Sequence, residues 1–135
     1  MTTLSAALQR GVFETLAGDA ALATIVGTEI HDGRPAGALP DLYVSLGPEE
    51  VRDRSDKTRA GAEHRFEVAV FTTRDGFADA KAAAAAISDA LDEARPVLTR
   101  GRVISLTFLR ARARRLRAGQ VRAIEMTFRA IVEDG

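Results

Sequence analysis

The sequence predicts an α+β fold, a two-layer sandwich in which a mainly antiparallel four-stranded sheet carries its helices on one face. Three observations predict it. Apolar residues recur at helical spacing near the start of the chain and again around position 84. They alternate with period two in four other segments, and glycine and proline punctuate the joints. The resulting order is α-α-β-β-α-β-β, with no internal repeat and no linker-like stretch, as expected of one domain over residues 1–135.

In the first helix Leu4, Ala7, Leu8, Val12, Thr15 and Leu16 share a face, Thr2 or Thr3 is placed to cap it, and Gly18 stops it. Asp19 then caps a short helix over residues 20–26, closed by Gly27. Residues 27–42 hold three glycines and two prolines and read as surface loop, with at most a short extended piece at 29–31. A first strand covers 42–46 and ends at Gly47-Pro48. Nine of the 17 residues from 47 to 63 are charged, which predicts a long solvated loop and, by its length, a contact element. The second strand, 64–73, sets Phe66, Val68 and Val70 on one face. Asp75 is placed to cap a helix over 76–94, whose stripe of Phe77, Ala80, Ala84, Ile87 and Leu91 is small enough to lie close to a sheet. Pro96 bars further helix. Residues 102–114 and 120–132 then form a long antiparallel hairpin about a turn at 116–119, with Ile104, Leu106 and Phe108 inward on one strand and Ile124, Met126, Phe128, Ala130 and Val132 on the other.

Composition excludes several classes. With 19 Lys+Arg, 19 Asp+Glu, two His, no Cys and no Trp, the chain has no disulfide framework, zinc knuckle or thiol nucleophile. A formal charge of zero argues against a dedicated nucleic-acid or acidic-lipid binder. The longest apolar run, 82–87, falls far short of the roughly 20 residues of a bilayer-spanning helix. No basic, then apolar, leader pattern opens the chain, so a cytosolic site of synthesis and no membrane partner are expected. The ionisable clusters are His31-Asp32, Glu63-His64 and Ser55-Asp56-Lys57, and none has the spacing of a triad or metal site. His31-Asp32-Gly33 reads as a turn. Phosphate-binding glycine loops are absent. No catalytic residue, metal ligand or cofactor is therefore expected.

Charge is segregated along the chain. From Arg100 to Arg122 there are eight arginines and no acid, with Arg110, Arg112 and Arg114 sharing one strand face. Residues 41–56 hold five acids against two arginines. The basic hairpin suits one of three roles: a small DNA-binding module, a charged edge that discourages strand addition, or a contact with another copy of the chain. In the last case Glu49, Glu50, Asp53 and Asp56 of one copy meet Arg110, Arg112 and Arg114 of the next, and a head-to-tail contact of that kind closes into a ring when its rotation divides a full turn.

A set of short pieces adds to this reading: Ala6-Ala7-Leu8-Gln9-Arg10 with Val12-Phe13; Ile25-Val26-Gly27 before Ile30-His31-Asp32-Gly33; and Tyr43-Val44-Ser45-Leu46-Gly47 running into Glu49-Glu50-Val51-Arg52-Asp53. They continue through Asp56-Lys57-Thr58, Gly61, His64, Gly76-Phe77-Ala78-Asp79-Ala80-Lys81 and Ala111-Arg112. In this order and spacing, over nearly the whole chain, they resemble the tail-terminator (tail-completion) proteins of long-tailed phages and phage-derived gene transfer agents. The resemblance implies a small α/β ring subunit that caps the finished tail tube as a homohexamer and then engages the head-tail connector or stopper protein. It implies no catalysis. The expected partners are the chain itself, the tail tube protein and the connector, with DNA passing through the ring lumen without specific binding. The expected location is the cytoplasm during assembly and then the head-tail junction of the particle. Arg52, Arg54 and Lys57 are the expected docking residues toward tube or head.

Overall fold

The structure, a computed structural model, describes residues 4–55 and 60–134. Helices α1 (Ser5–Ala17), α2 (Ala20–Val26) and α3 (Ala78–Leu91) lie on one face of a five-stranded sheet. The strands are β1 (Ile30–Asp32), β2 (Leu42–Asp53), β3 (Ala60–Thr72), β4 (Arg102–Leu116) and β5 (Val121–Asp134), in the order β1-β2-β3-β5-β4. Every pairing is antiparallel except that of β1 with β2.

The inward faces of the strands follow from their period-two pattern. Val44 and Leu46 of β2, Phe66, Val68 and Val70 of β3, and Ile124, Met126, Phe128, Ala130 and Val132 of β5 all lie in one core with the apolar stripes of the helices. Phe128 is fully buried at its centre, stacked at 5.6 Å on Phe66 and edge-on at 5.7 Å to Phe108. Ala80, Ala83 and Ala86 turn to the sheet from α3, so the helix is held to it by Cβ-sized contacts flanked by Ile87 and Leu91. The Asp19 carboxylate accepts from Leu22 N–H at 2.9 Å, and Gly27 ends α2 at φ 61°.

Several expectations need correction. The sheet has five strands, not four, because residues 30–32 pair in parallel with Val44, Ser45 and Leu46; three residues are too few to show a period. His31 and Asp32 are thus in a strand rather than a turn, and the left-handed residue is Gly33 at φ 80°. The expected loop over 47–63 is instead a hairpin, since β2 runs on to Asp53 and β3 starts at Ala60. Gly47-Pro48 does not end the strand but forms a bulge between Leu46 and Glu49, a position that tolerates a missing N–H. Beyond that bulge most of β2 is exposed, which is why its apolar alternation fades.

On β4, bulges skip Ile104 and Leu109, so Val103 takes the inward position expected of Ile104, together with Leu106. Helix α3 is shorter than 76–94. Its N-cap position is Phe77, with no side-chain cap, and Asp75 does not serve. The C-terminal Asp92 instead accepts from Phe108 N–H at 2.9 Å. Helix α1 is preceded by Leu4, also without a side-chain cap, and Thr2 and Thr3 lie outside the described residues. The β4–β5 turn occupies 117–120, where Arg117, Ala118 and Gly119 all have φ between 51° and 85°.

Candidate functional site

The three ionisable clusters are dispersed by the fold. His31 lies on the outer face of the sheet, away from the helices, with Nε2 2.8 Å from Glu29 Oε1 and its ring edge-on to Tyr43. His64 points the other way. It is fully buried under α1, with Nδ1 3.0 Å from Glu49 Oε2, and its Nε2 has no hydrogen-bond partner among the described residues. The Ser5 hydroxyl donates to the second oxygen of Glu49. Burial pushes the Glu49 carboxyl up, but the hydrogen bonds from His64 and Ser5 and the His64 charge outweigh it, leaving it below its usual range. This chain links hydroxyl to carboxylate and carboxylate to imidazole; no nucleophile meets a base. Glu63 sits next to His64 in sequence but on the opposite sheet face. Ser55 donates to Asp53 at 2.7 Å, while Asp56 and Lys57 lie outside the described residues. No group of three or more His, Cys, Asp or Glu that could hold a metal occurs among the described residues.

The outer face is instead a lattice of ion pairs. Arg114 grips Glu125 with two bonds of 2.8 Å, and Arg112 reaches the same carboxylate at 3.3 Å. Burial raises Glu125, and the hydrogen bonds from Arg114 and Arg112 bring it below its usual range. Glu67 beside them is raised, first by burial and then by the Glu125 charge. Further along, Glu63 takes Arg65 at 2.9 Å, Arg129 at 3.0 Å and Arg54 at 3.2 Å. The Arg65 hydrogen bond and the Arg129 guanidinium beside it hold its carboxyl down to about 2.

Of the residues singled out by charge, the fold brings Arg110, Arg112 and Arg114 onto one face, as the alternation requires, but it neutralises part of that row internally. Among the acids, Glu49 is held inward, Glu50 pairs with Arg52 at 3.3 Å, and Asp53 is exposed. Arg52 and Arg54 project from the same hairpin, Arg54 toward Glu63. Sequence reasoning named Glu63 only as the neighbour of His64 and passed over Glu125, the two anchors of the lattice. Each occupies an outward position of an amphipathic strand, but apart from Arg65, two places along from Glu63, the arginines they bind come from other segments, so the register is needed to reveal them.

The loop over 33–41 folds across the outer face and, with the β4–β5 tip, encloses a groove of about 340 Å³. Tyr43 and Phe71, stacked at 5.3 Å, contribute to its lining, as do Leu39, Leu116 and the two guanidinium groups of Arg34 and Arg117. Among the described residues no carboxylate or imidazole lines it.

Comparison with known proteins gives this surface a context. Residues 10–133 match the family model described as tail completion protein gp17. No curated protein matches. Among solved structures, the chain is similar to one in the virion of a native gene transfer agent (GTA) particle, at 53% identity and a TM-score of 0.93, over 98% of this chain and 99% of that one. The family match over residues 10–133 and the 53% identity to a virion chain lead to one assignment: the chain belongs to the tail completion protein gp17 family.

Proposed function

We propose that this protein is a structural component of a phage-like or gene-transfer-agent tail, located in the particle, that caps the completed tail tube as a homo-oligomeric, hexameric ring. By occupying the docking surface of the last tube layer it ends polymerisation, and its opposite face joins the head connector. No chemical step is part of this role. The observation that carries the reading is the near-complete, 53% identical match to a chain of a GTA virion, together with the family match over 10–133.

Within that role, Glu49, Glu50, Asp53 and Asp56 of one copy face Arg110, Arg112 and Arg114 of the next, and Arg52, Arg54 and Lys57 dock tube or head. Exposed ion pairs are each worth only about 0–1 kcal/mol, so assembly needs several together with backbone and apolar contacts. Electron microscopy of particles produced without this gene tests the reading. Overlong or headless tails are expected, and particles of normal length joined to heads would refute it.

A further inference from the structure

The sheet has two outer edges, and each is only half covered. On one side β1 pairs with Val44, Ser45 and Leu46 and stops, so β2 beyond Leu46 has no strand beside it there among the described residues. On the other side the chain leaving α3 closes part of β4: Glu93 N–H donates to Leu106 C=O at 2.8 Å, and Phe108 N–H donates to Asp92. Past Leu109 the edge of β4 is open down to the turn, again among the described residues. Open strand edges are templates for pairing with another chain, and folded proteins normally blunt them.

Alternation identifies the open backbone groups. Arg54 N–H donates to Gly61 C=O, so residues 50, 52 and 54 face β3, whereas Glu49, Val51 and Asp53 turn their N–H and C=O outward. On β4 the outward residues Leu106 and Phe108 precede a bulge, past which Ala111, Ala113 and Arg115 are outward. Both sets carry their side chains on the helical side. Glu49, Val51 and Asp53 oppose Phe66, His64 and Ala62, while Ala111 and Ala113 oppose Met126 and Ile124. Opposed residues of a ladder project to the same face, so joining these two edges keeps the helices of both copies on one side. Three antiparallel pairings separate β2 from β4, so the two strands run in opposite directions and equally oriented copies meet antiparallel.

We propose that copies of this chain join edge to edge, the open stretch of β4 in one copy pairing antiparallel with the open stretch of β2 in the next, Val51 opposite Ala113, so that their sheets become continuous. The proposal rests on the ring reading above and, of the charged contacts named there, retains Glu50 with Arg114. In this register Glu50 of one copy opposes Arg114 of the next and Glu49 opposes Arg115, while Arg52 meets Arg112 and Arg54 meets Arg110, like charges that Glu50, Glu125 and Glu63 partly neutralise within each copy. Leu109 and Phe13, two of the exposed large apolar side chains, flank the edges so joined; Phe13 lines a hollow with Ala6 and Leu46 beside β2.

The register also fixes a stagger. Val51 is level, across the sheet, with Ala130, and Ala113 with Ile124, so the join shifts each copy by the six residues between them. That is about 20 Å at roughly 3.3 Å per residue, over four strands about 19 Å wide. Strands of a closed belt would then tilt about 45° from its axis, within the range that closed sheets adopt.

The cysteine-free sequence allows a direct test, because an introduced pair reports a single contact. Glu50→Cys with Arg114→Cys places both thiols in a non-hydrogen-bonded antiparallel pair, whose Cα separation of about 4.5 Å suits a disulfide. Within one copy the two positions are on non-adjacent strands. Particles carrying the double variant, oxidised and resolved without reductant, are expected to show a ladder of covalent multimers absent from either single variant. Rings seen by microscopy without a ladder overturn edge pairing and leave the ring reading standing, whereas particles in which the protein forms no ring overturn both. Ala113→Pro deletes one outward N–H without touching the β4–β5 ladder. Loss of ring assembly is expected, and a variant that folds and still builds rings overturns the pairing; if it fails to fold, the cysteine pair decides.

Discussion

Phe128→Ala tests the core most directly. The ring is fully buried and makes two aromatic contacts, stacked on Phe66 and edge-on to Phe108, at one level of three adjacent strands. Truncating a buried Phe costs about 3–5 kcal/mol, and two aromatic pairs at about 0.5–1.5 kcal/mol each place this site at the upper end, near 5 kcal/mol. The neighbours cannot collapse into the space, because Phe66 and Phe108 are fixed by their own ladders. For a chain of this length, about 3–5 °C is lost per kcal/mol, so calorimetry should show a Tm lower by about 15–25 °C. Phe128→Leu retains most of the transfer free energy but neither ring contact, and should lose about 1–2 kcal/mol in urea titration. An alanine variant losing less than about 2 kcal/mol, or a leucine variant as weak as the alanine one, would show that Phe128 is not the keystone of the sheet.

Three further outcomes follow from single residues. Glu63 has a folded pKa of about 2 against an ordinary 4.5, so its stabilisation is complete above pH 4.5 and is lost as pH falls through 2. Urea midpoints across that window should fall more steeply for the parent than for Glu63→Gln, and parallel curves would contradict the three-arginine cluster. Asp19→Ala removes the cap on Leu22 N–H and should cost about 1 kcal/mol, seen as a shifted urea midpoint with unchanged slope. Gly101→Ala forces a side chain onto a residue with φ 75° and brings Cβ to 2.6 Å from Glu133 C=O, so a loss of about 2 kcal/mol or more is expected in the same assay.

The fold was legible wherever one face was buried. Phe66, Val68 and Val70, or Ile124, Met126 and Phe128, announce their strands because the helices cover alternate positions. The same logic explains the failures. Past Gly47 most β2 side chains are exposed, so a strand there carries the charge density of a loop. At β4 two bulges shift the inward set, and a skipped residue leaves no trace in composition. The arginine row at 110, 112 and 114 was legible, but its pairing with Glu125 was not, because cross-strand partners depend on a register set by the remote hairpin turn. His64 shows the same limit in reverse: nothing near it in sequence indicates that α1 will bury it against Glu49.

The tip of the β4–β5 hairpin winds left-handed through Arg117 and Ala118, where L-residues are disfavoured by about 1–2 kcal/mol each. Replacing Arg117→Asn and Ala118→Gly should therefore raise the melting temperature while leaving the ladder intact. Natural loops are seldom at their stability optimum, so assembly is the informative readout: a stabilised yet assembly-defective tip variant would locate a contact at the end of the hairpin rather than along its shaft.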